Sequence, residues 1–349
     1  MIDWNTAQRV AELMAGAPLL GRLPDDIDAR AEDYARRVSA YTGLTARERL
    51  PPPEGVDRTA WIAANLKSMR PLLDPLAERM GGGLGPLAAP LQGVSGLVLG
   101  AQVGLLVGLL SQRVLGQYDL VLLDAQVPTR LLLVSPNLTE AATALDVDRD
   151  QLVSWVAVHE VTHALQFSGV PWLREHLGSL LGELLAGLDV KVNAASLLRL
   201  PDRDELKELV DAARRGDLLR AVIGPERQAL VDRIQATMSL IEGHAEHVMD
   251  VVGAEVLPSL PRLREALDQR RATRSPAWRV LERLLGLELK MRQYEAGRRF
   301  CEAVVKEGGM DALNRAWTAP EALPTPAELD RPDLWLTRTN VPAVTKSSS

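Results

Sequence analysis

The chain has 349 residues, 46% of them hydrophobic and 25% charged, the composition of a soluble globule with a sizeable core. Forty basic against 46 acidic side chains leave a net charge of −6 with no long basic run, which argues against nucleic acid as a partner. The single cysteine, Cys301, excludes an intramolecular disulfide; with no signal-like start at Met1-Ile2-Asp3-Trp4-Asn5, it predicts a reducing, cytoplasmic setting.

Residues 1–80 read as helices separated by Pro and Gly, with 25–41 and 60–69 the clearest and Pro51-Pro52-Pro53-Glu54-Gly55 a linker. Residues 80–112 carry no charge and are long enough to cross a bilayer. Within them Gly96, Gly100, Gly104 and Gly108 recur every four residues, a flat stripe on which another helix can lie. Gln92, Gln102, Ser95, Ser111, Pro86 and Pro90, and the lack of an aromatic belt, favour a tightly packed buried helix over a membrane contact. The runs 120–123 and 130–134 are short, apolar and bounded by turn residues, so they are the strand candidates, with Ser135-Pro136-Asn137 closing the second. Asp148 is placed to cap the next helix. Helices are then expected over about 172–188, 204–215, 225–252, 259–272 and 277–306. Beyond 317, Pro320, Pro324, Pro326 and Pro332 with Trp317 and Trp335 predict an extended tail, and 345–349 a disordered end. The fold class expected is mainly α with a small β-sheet (α+β). A helical N-terminal region (1–115) would pack on a metal-binding catalytic region (116–349).

One string carries a mechanism. His159-Glu160-Val161-Thr162-His163 sits among Val153, Trp155, Val156, Val158, Ala164, Leu165 and Phe167, a helix with no proline. Imidazoles four residues apart share a face and can reach one metal ion, while Glu160 at the edge of that face can take a proton from a water on the metal. Polar groups on so apolar a helix need compensation, and a zinc site supplies it. The chain has five histidines; two more, His244 and His247, fall in the cluster Ile241-Glu242-Gly243-His244-Ala245-Glu246-His247. His176 stands alone and reads as a solvated helix residue. A catalytic zinc takes three protein ligands, and the 242–250 cluster is the credible source of the third. Its carboxylates Glu242, Glu246 and Asp250 are spaced four apart, an arrangement that repels unless one binds metal and another orients a ligand histidine.

This pattern, HExxH followed by a helix bearing Glu-x-x-x-(Asp/Glu), resembles the zincin metallopeptidases of the gluzincin type. Their Glu-Gly-x-Ala third-ligand segment is similar to residues 242–245. The resemblance implies Glu242 as third ligand with Glu246 behind it; the competing register is Glu246 with Asp250 behind it, and His244 or His247 completes the alternatives. Together with Lys290-Met291-Arg292-Gln293-Tyr294 and Gly308-Gly309-Met310, the two segments resemble more closely a zincin-like family of hydrolases. That family is known mainly by name, from association with deazaflavin-cofactor biosynthesis genes. A zincin-like core is implied, with a small sheet just before the active helix and extra helices. Gln166 and Gly169 stand where the metzincin pattern needs Gly and His. The interval from His163 to Glu242 is long for a gluzincin and implies a helical insertion.

The expected function is zinc-dependent hydrolysis of a peptide or amide. Zn2+ would sit on His159, His163 and Glu242, Glu160 would act as general base, and Tyr294 or His244 is a candidate oxyanion donor. Two other readings stay open: a zinc-stabilised scaffold without turnover, its fourth position closed by a residue such as His247, and a membrane-associated protease anchored through residues 80–112. The oligomeric state is not legible.

Overall fold

The computed structural model describes residues 1–16, 21–81, 89–119, 127–187, 227–272 and 287–339. It is mainly helical with one small sheet, the α+β class expected. The chain divides into two compact units, and no single cut separates them. One comprises residues 1–28, 51–156 and 182–206; the other comprises 29–50, 157–181 and 207–349.

The first unit holds α1 (Trp4–Ala15) and, after the start of α2 (Ile27–Thr42), β1 (Pro53–Val56), α3 (Arg58–Gly81), α4 (Ala89–Ser111), β2 (Gly116–Asp119), β3 (Arg130–Val134) and α5 (Ser135–Leu145). The sheet order is β1-β3-β2, with β1 parallel and β2 antiparallel to the central strand. The expected strand at 130–134 forms as read, and its Leu131, Leu132, Leu133 and Val134 are buried. One expectation changes. The Pro51–Gly55 linker contributes strand β1, with Pro53 at the first position of an edge, where a missing N–H costs no central pairing. The strand beside β3 is 116–119; residues 120–123 lie outside the described residues, as do 204–215 and 82–88.

The glycine stripe of α4 receives α1. A Cβ on Gly104 would fall 2.9 Å from the Ala7 Cα and the Val10 Cβ, and one on Gly108 2.9 Å from the Ala11 carbonyl oxygen. Only hydrogen fits there, so the two backbones approach closely and Ala7, Ala11 and Ala15 are fully buried. They join Val56, Trp61, Ile62, Leu66, Val107, Leu132 and Val134 in one core. Asn137 closes the end of α4: its Nδ2 donates to the Ser111 and Val114 carbonyls at 2.7 and 2.6 Å, and its Oδ1 accepts from Arg58 Nε. Leu97, Val98 and Leu105, on the rest of the α4 surface, are exposed. No helix among the described residues is long and apolar enough to cross a membrane.

α6 (Arg149–Gly169) begins in the first unit and continues into the second. Asp148 caps it as expected, accepting from the Gln151 N–H at 2.8 Å. The second unit adds most of α2, part of α7 (Pro171–Ala186), and α8 (Gln228–Val256), α9 (Leu260–Ala272) and α10 (Leu287–Asn314), the last broken at Gly309 with φ 73°. Residues 315–339 are not an extended tail. They form two 3-10 turns and the short helices α11 (Pro326–Asp330) and α12 (Pro332–Arg338), each begun by a proline at its first position. There a fixed φ and an absent N–H favour a helix start. Trp335 anchors them: it is fully buried, lies edge-on to Phe300 at 5.3 Å and donates to the Ala322 carbonyl.

Candidate metal centre

The centre is assembled within the second unit by two helices. α6 carries His159 and His163 one turn apart; α8 carries Glu242. The two Nε2 atoms are 3.0 Å apart, and the nearer Glu242 oxygen lies 3.5 Å from that of His163 and 3.7 Å from that of His159. A zinc with bonds of about 2.0–2.1 Å to tetrahedral ligands sets them roughly 3.3–3.4 Å apart. The three observed separations bracket that edge, and two imidazoles with a carboxylate are a zinc donor set, so the residues fit the ion. Among the described residues this is the group whose ligand atoms converge in this way.

What lets α8 present Glu242 so closely is the next residue. A Cβ on Gly243 would fall 2.5 Å from the Arg298 nitrogen and the Gly297 oxygen of α10, so the helices cross backbone to backbone at two glycines. The Gly of Glu-Gly-x-Ala is thus a packing requirement beside the ligand, a meaning its spacing alone does not carry.

Charge at the centre is negative in balance. Glu160 is buried at 6% exposure and acts on His163 through space. Burial alone would lower the His163 pKa; Glu242 at close range, then Glu160 and Gln166, overcome it and raise it to about 9.

Each imidazole is held from behind by a neutral group. His159 Nδ1 lies 2.9 Å from Met249 Sδ. His163 Nδ1 lies 2.8 Å from Gln166 Oε1, and Gln166 Nε2 reaches the Ile241 carbonyl and His244 Nδ1, both at 2.9 Å. Thr162 is satisfied within α6, its hydroxyl donating to the Val158 carbonyl. The polar groups at 159, 162 and 163 therefore have partners, as burial demands, while Trp155 Nε1 on the same helix is buried without one.

The remaining residues singled out from the sequence lie elsewhere. Glu246 accepts from Arg264 at 2.9 Å, and Asp250 pairs with Arg264 and with Arg298, so the carboxylates one and two turns beyond Glu242 are engaged with guanidinium groups. Burial raises the Asp250 pKa, against those two arginines. His247 faces the Tyr41 hydroxyl at 2.7 Å. Burial lowers its pKa. His244 is fully buried, edge-on to Trp317 at 5.3 Å, with Nε2 unpartnered; burial, then His247 and His163, push its pKa down to about 3. It lies in contact with Gln166. His176 is half-buried against Trp172. The Tyr294 side chain lies outside the described residues.

Sequence reasoning missed Gln166, Met249 and Arg264. Gln166 had a signal: an amide three residues beyond His163 on an otherwise apolar face. Nothing in the pattern marks Met249, which a partner 90 residues away in the chain selects.

The profile of the zincin-like metallopeptidases matches residues 2–336. A crystal structure described as "a putative hydrolase with a novel fold", from Chloroflexus aurantiacus, is 31% identical and superposes with a TM-score of 0.69 over 98% of this chain and 100% of that one. None of the curated proteins matches. With a profile spanning nearly its whole length and a full-length structural relative above 30% identity, the chain belongs to the zincin-like metallopeptidase family.

Proposed function

We propose that the chain is a zinc-dependent hydrolase that cleaves a peptide or amide bond, with His159, His163 and Glu242 as the metal ligands and Glu160 as general base. The observation that carries this reading is the convergence of two imidazole nitrogens and a carboxylate oxygen within 3.0 to 3.7 Å, beside a second, buried carboxylate, Glu160, on the helix of the two imidazoles. Zinc, when bound, supplies a Lewis acid that polarises a carbonyl and brings the pKa of water toward neutrality. Glu160 receives the proton that the attacking water gives up and returns it to the leaving nitrogen. Glu242 and Glu160 supply the negative charge that retains a cation in the pocket. Met249 and Gln166 hold the rings in place from behind, so the ligand nitrogens cost little reorganisation on binding.

The test is metal content by mass spectrometry of the wild type beside His163→Ala, followed by peptide-library turnover with Glu160→Gln as control. The expected result is one zinc per chain, lost in H163A. E160Q is expected to keep its zinc and lose roughly 100- to 10,000-fold in rate, the contribution of a positioned base. A wild type that takes up no zinc refutes the metal reading. Zinc retained with equal rates in wild type and E160Q refutes Glu160 as base and leaves a zinc-stabilised scaffold.

A further inference from the structure

We infer that Gln166 is a positioning residue that keeps the His163 proton on Nδ1, so that Nε2 is the nitrogen offered to the metal. The inference rests on the metal reading above.

One atom here cannot change its role. The Ile241 carbonyl can only accept, and the Gln166 side-chain atom 2.9 Å from it must therefore be the amide nitrogen. That fixes the other amide atom, 2.8 Å from His163 Nδ1, as the oxygen. An amide oxygen only accepts, so Nδ1 carries the hydrogen. Whether the ring arrives neutral or as imidazolium, this contact retains the Nδ1 proton, and Nε2 is the position left for a cation. Nε2 is also the atom that faces Glu242 at 3.5 Å.

The amide has a second N–H, directed at His244 Nδ1, again at 2.9 Å. His244 must accept there, which makes it a neutral ring with its hydrogen on Nε2. The Ile241 carbonyl and the His244 ring nitrogen together hold the Gln166 amide in one orientation. Gln166 and His244 are both fully buried, so water does not compete for these bonds. Ile241 immediately precedes Glu242. One side chain thus sets the tautomer of a ligand on α6 and is itself aimed by the backbone beside the ligand on α8. His159 Nδ1 faces the Met249 thioether, a weaker acceptor than the Gln166 amide oxygen.

Two variants separate this role from a merely structural one. Gln166→Met removes the acceptor and both donors at similar volume. Gln166→Glu keeps an acceptor for His163 and gives up the amide donors to Ile241 and His244. Each is stripped, reloaded and titrated with zinc against a competing chelator, and the His163 Nδ1–H resonance of the zinc form is followed by 1H–15N NMR. Q166M is expected to bind zinc about 10- to 100-fold more weakly and to lose its Nδ1–H signal to solvent exchange, while Q166E stays within about threefold of wild type and keeps the signal. Equal affinities in all three overturn the inference. So does a Q166E that falls as far as Q166M, because the amide then acts only as a strap between helices. If Q166M does not fold, Q166E decides alone by the same criterion: retention supports the role and loss overturns it. A wild type that takes up no zinc refutes the metal reading and this inference together; failure of Gln166 alone is read only from the variants against a zinc-binding wild type.

Discussion

Replacing Gly243 by alanine strikes the crossing of α8 and α10 without touching a ligand. The new Cβ would meet the Arg298 nitrogen and the Gly297 oxygen at 2.5 Å, against an ordinary contact distance of 3.4 Å or more. Both are backbone atoms, so no side chain can swing away. The helices must separate by about 1 Å, and overpacking of this kind costs roughly 1–3 kcal/mol. Glu242 is the neighbouring residue and moves with its helix. Metal sites tolerate about 0.2 Å in their ligand distances, so a displacement several times larger should weaken zinc binding by at least about tenfold. Urea unfolding and chelator competition measure the two effects on one preparation. Gly182→Ala is the control: nothing lies within 4 Å of its Cβ position, and removing a glycine from the interior of α7 should stabilise by roughly 0.5–1 kcal/mol. A G243A variant with wild-type stability would refute the packing argument. One that is destabilised but binds zinc as the wild type does would refute Glu242 as a ligand positioned by this crossing.

Two further outcomes follow from packing and from charge. Gly104→Val places two methyl groups against Ala7 and Val10 of α1, which already lie 2.9 Å from a Cβ there. It should cost about 3 kcal/mol or more in urea unfolding, and an unchanged midpoint would mean that α1 does not lie on the stripe. The metal-free protein should be most stable near pH 6.5. Below that value an unfolded His244 binds a proton that the folded one, depressed to about 3, refuses, so stability falls as pH drops, by up to about 1.4 kcal/mol per unit. Above it His163, raised to about 9, holds a proton that the unfolded chain has released, so stability falls again as pH rises toward 9. Unfolding midpoints from pH 5 to 9 check both limbs. The acid limb should flatten in His244→Asn, and an acid limb identical to wild type in that variant would refute the assignment.

Local rules were enough for the features that repeat along the chain. Two histidines four residues apart share a helical face whatever surrounds them, so His159, Glu160 and His163 were legible as two imidazoles on one face with an adjacent carboxylate. Asp148 as a cap and 130–134 as a strand follow from equally short-range chemistry. The resemblance to zincins pointed to Glu242, and spacing alone left Glu246 and Asp250 as rivals, since all three share one face of α8. The tertiary structure separates them by what each meets: Glu242 meets the two imidazoles, while Arg264 meets both Glu246 and Asp250. The same physical reason explains the other surprises. Pro53 begins a strand because β3 offers an edge to pair with, and the proline-rich end folds into short helices because Trp335 finds a buried place beside Phe300. Met249 and Gln166 acquire roles from atoms 75 to 90 residues away. Periodicity along a chain reports which side chains share a face; the partner of that face is set by long-range packing, and there the sequence pattern falls silent.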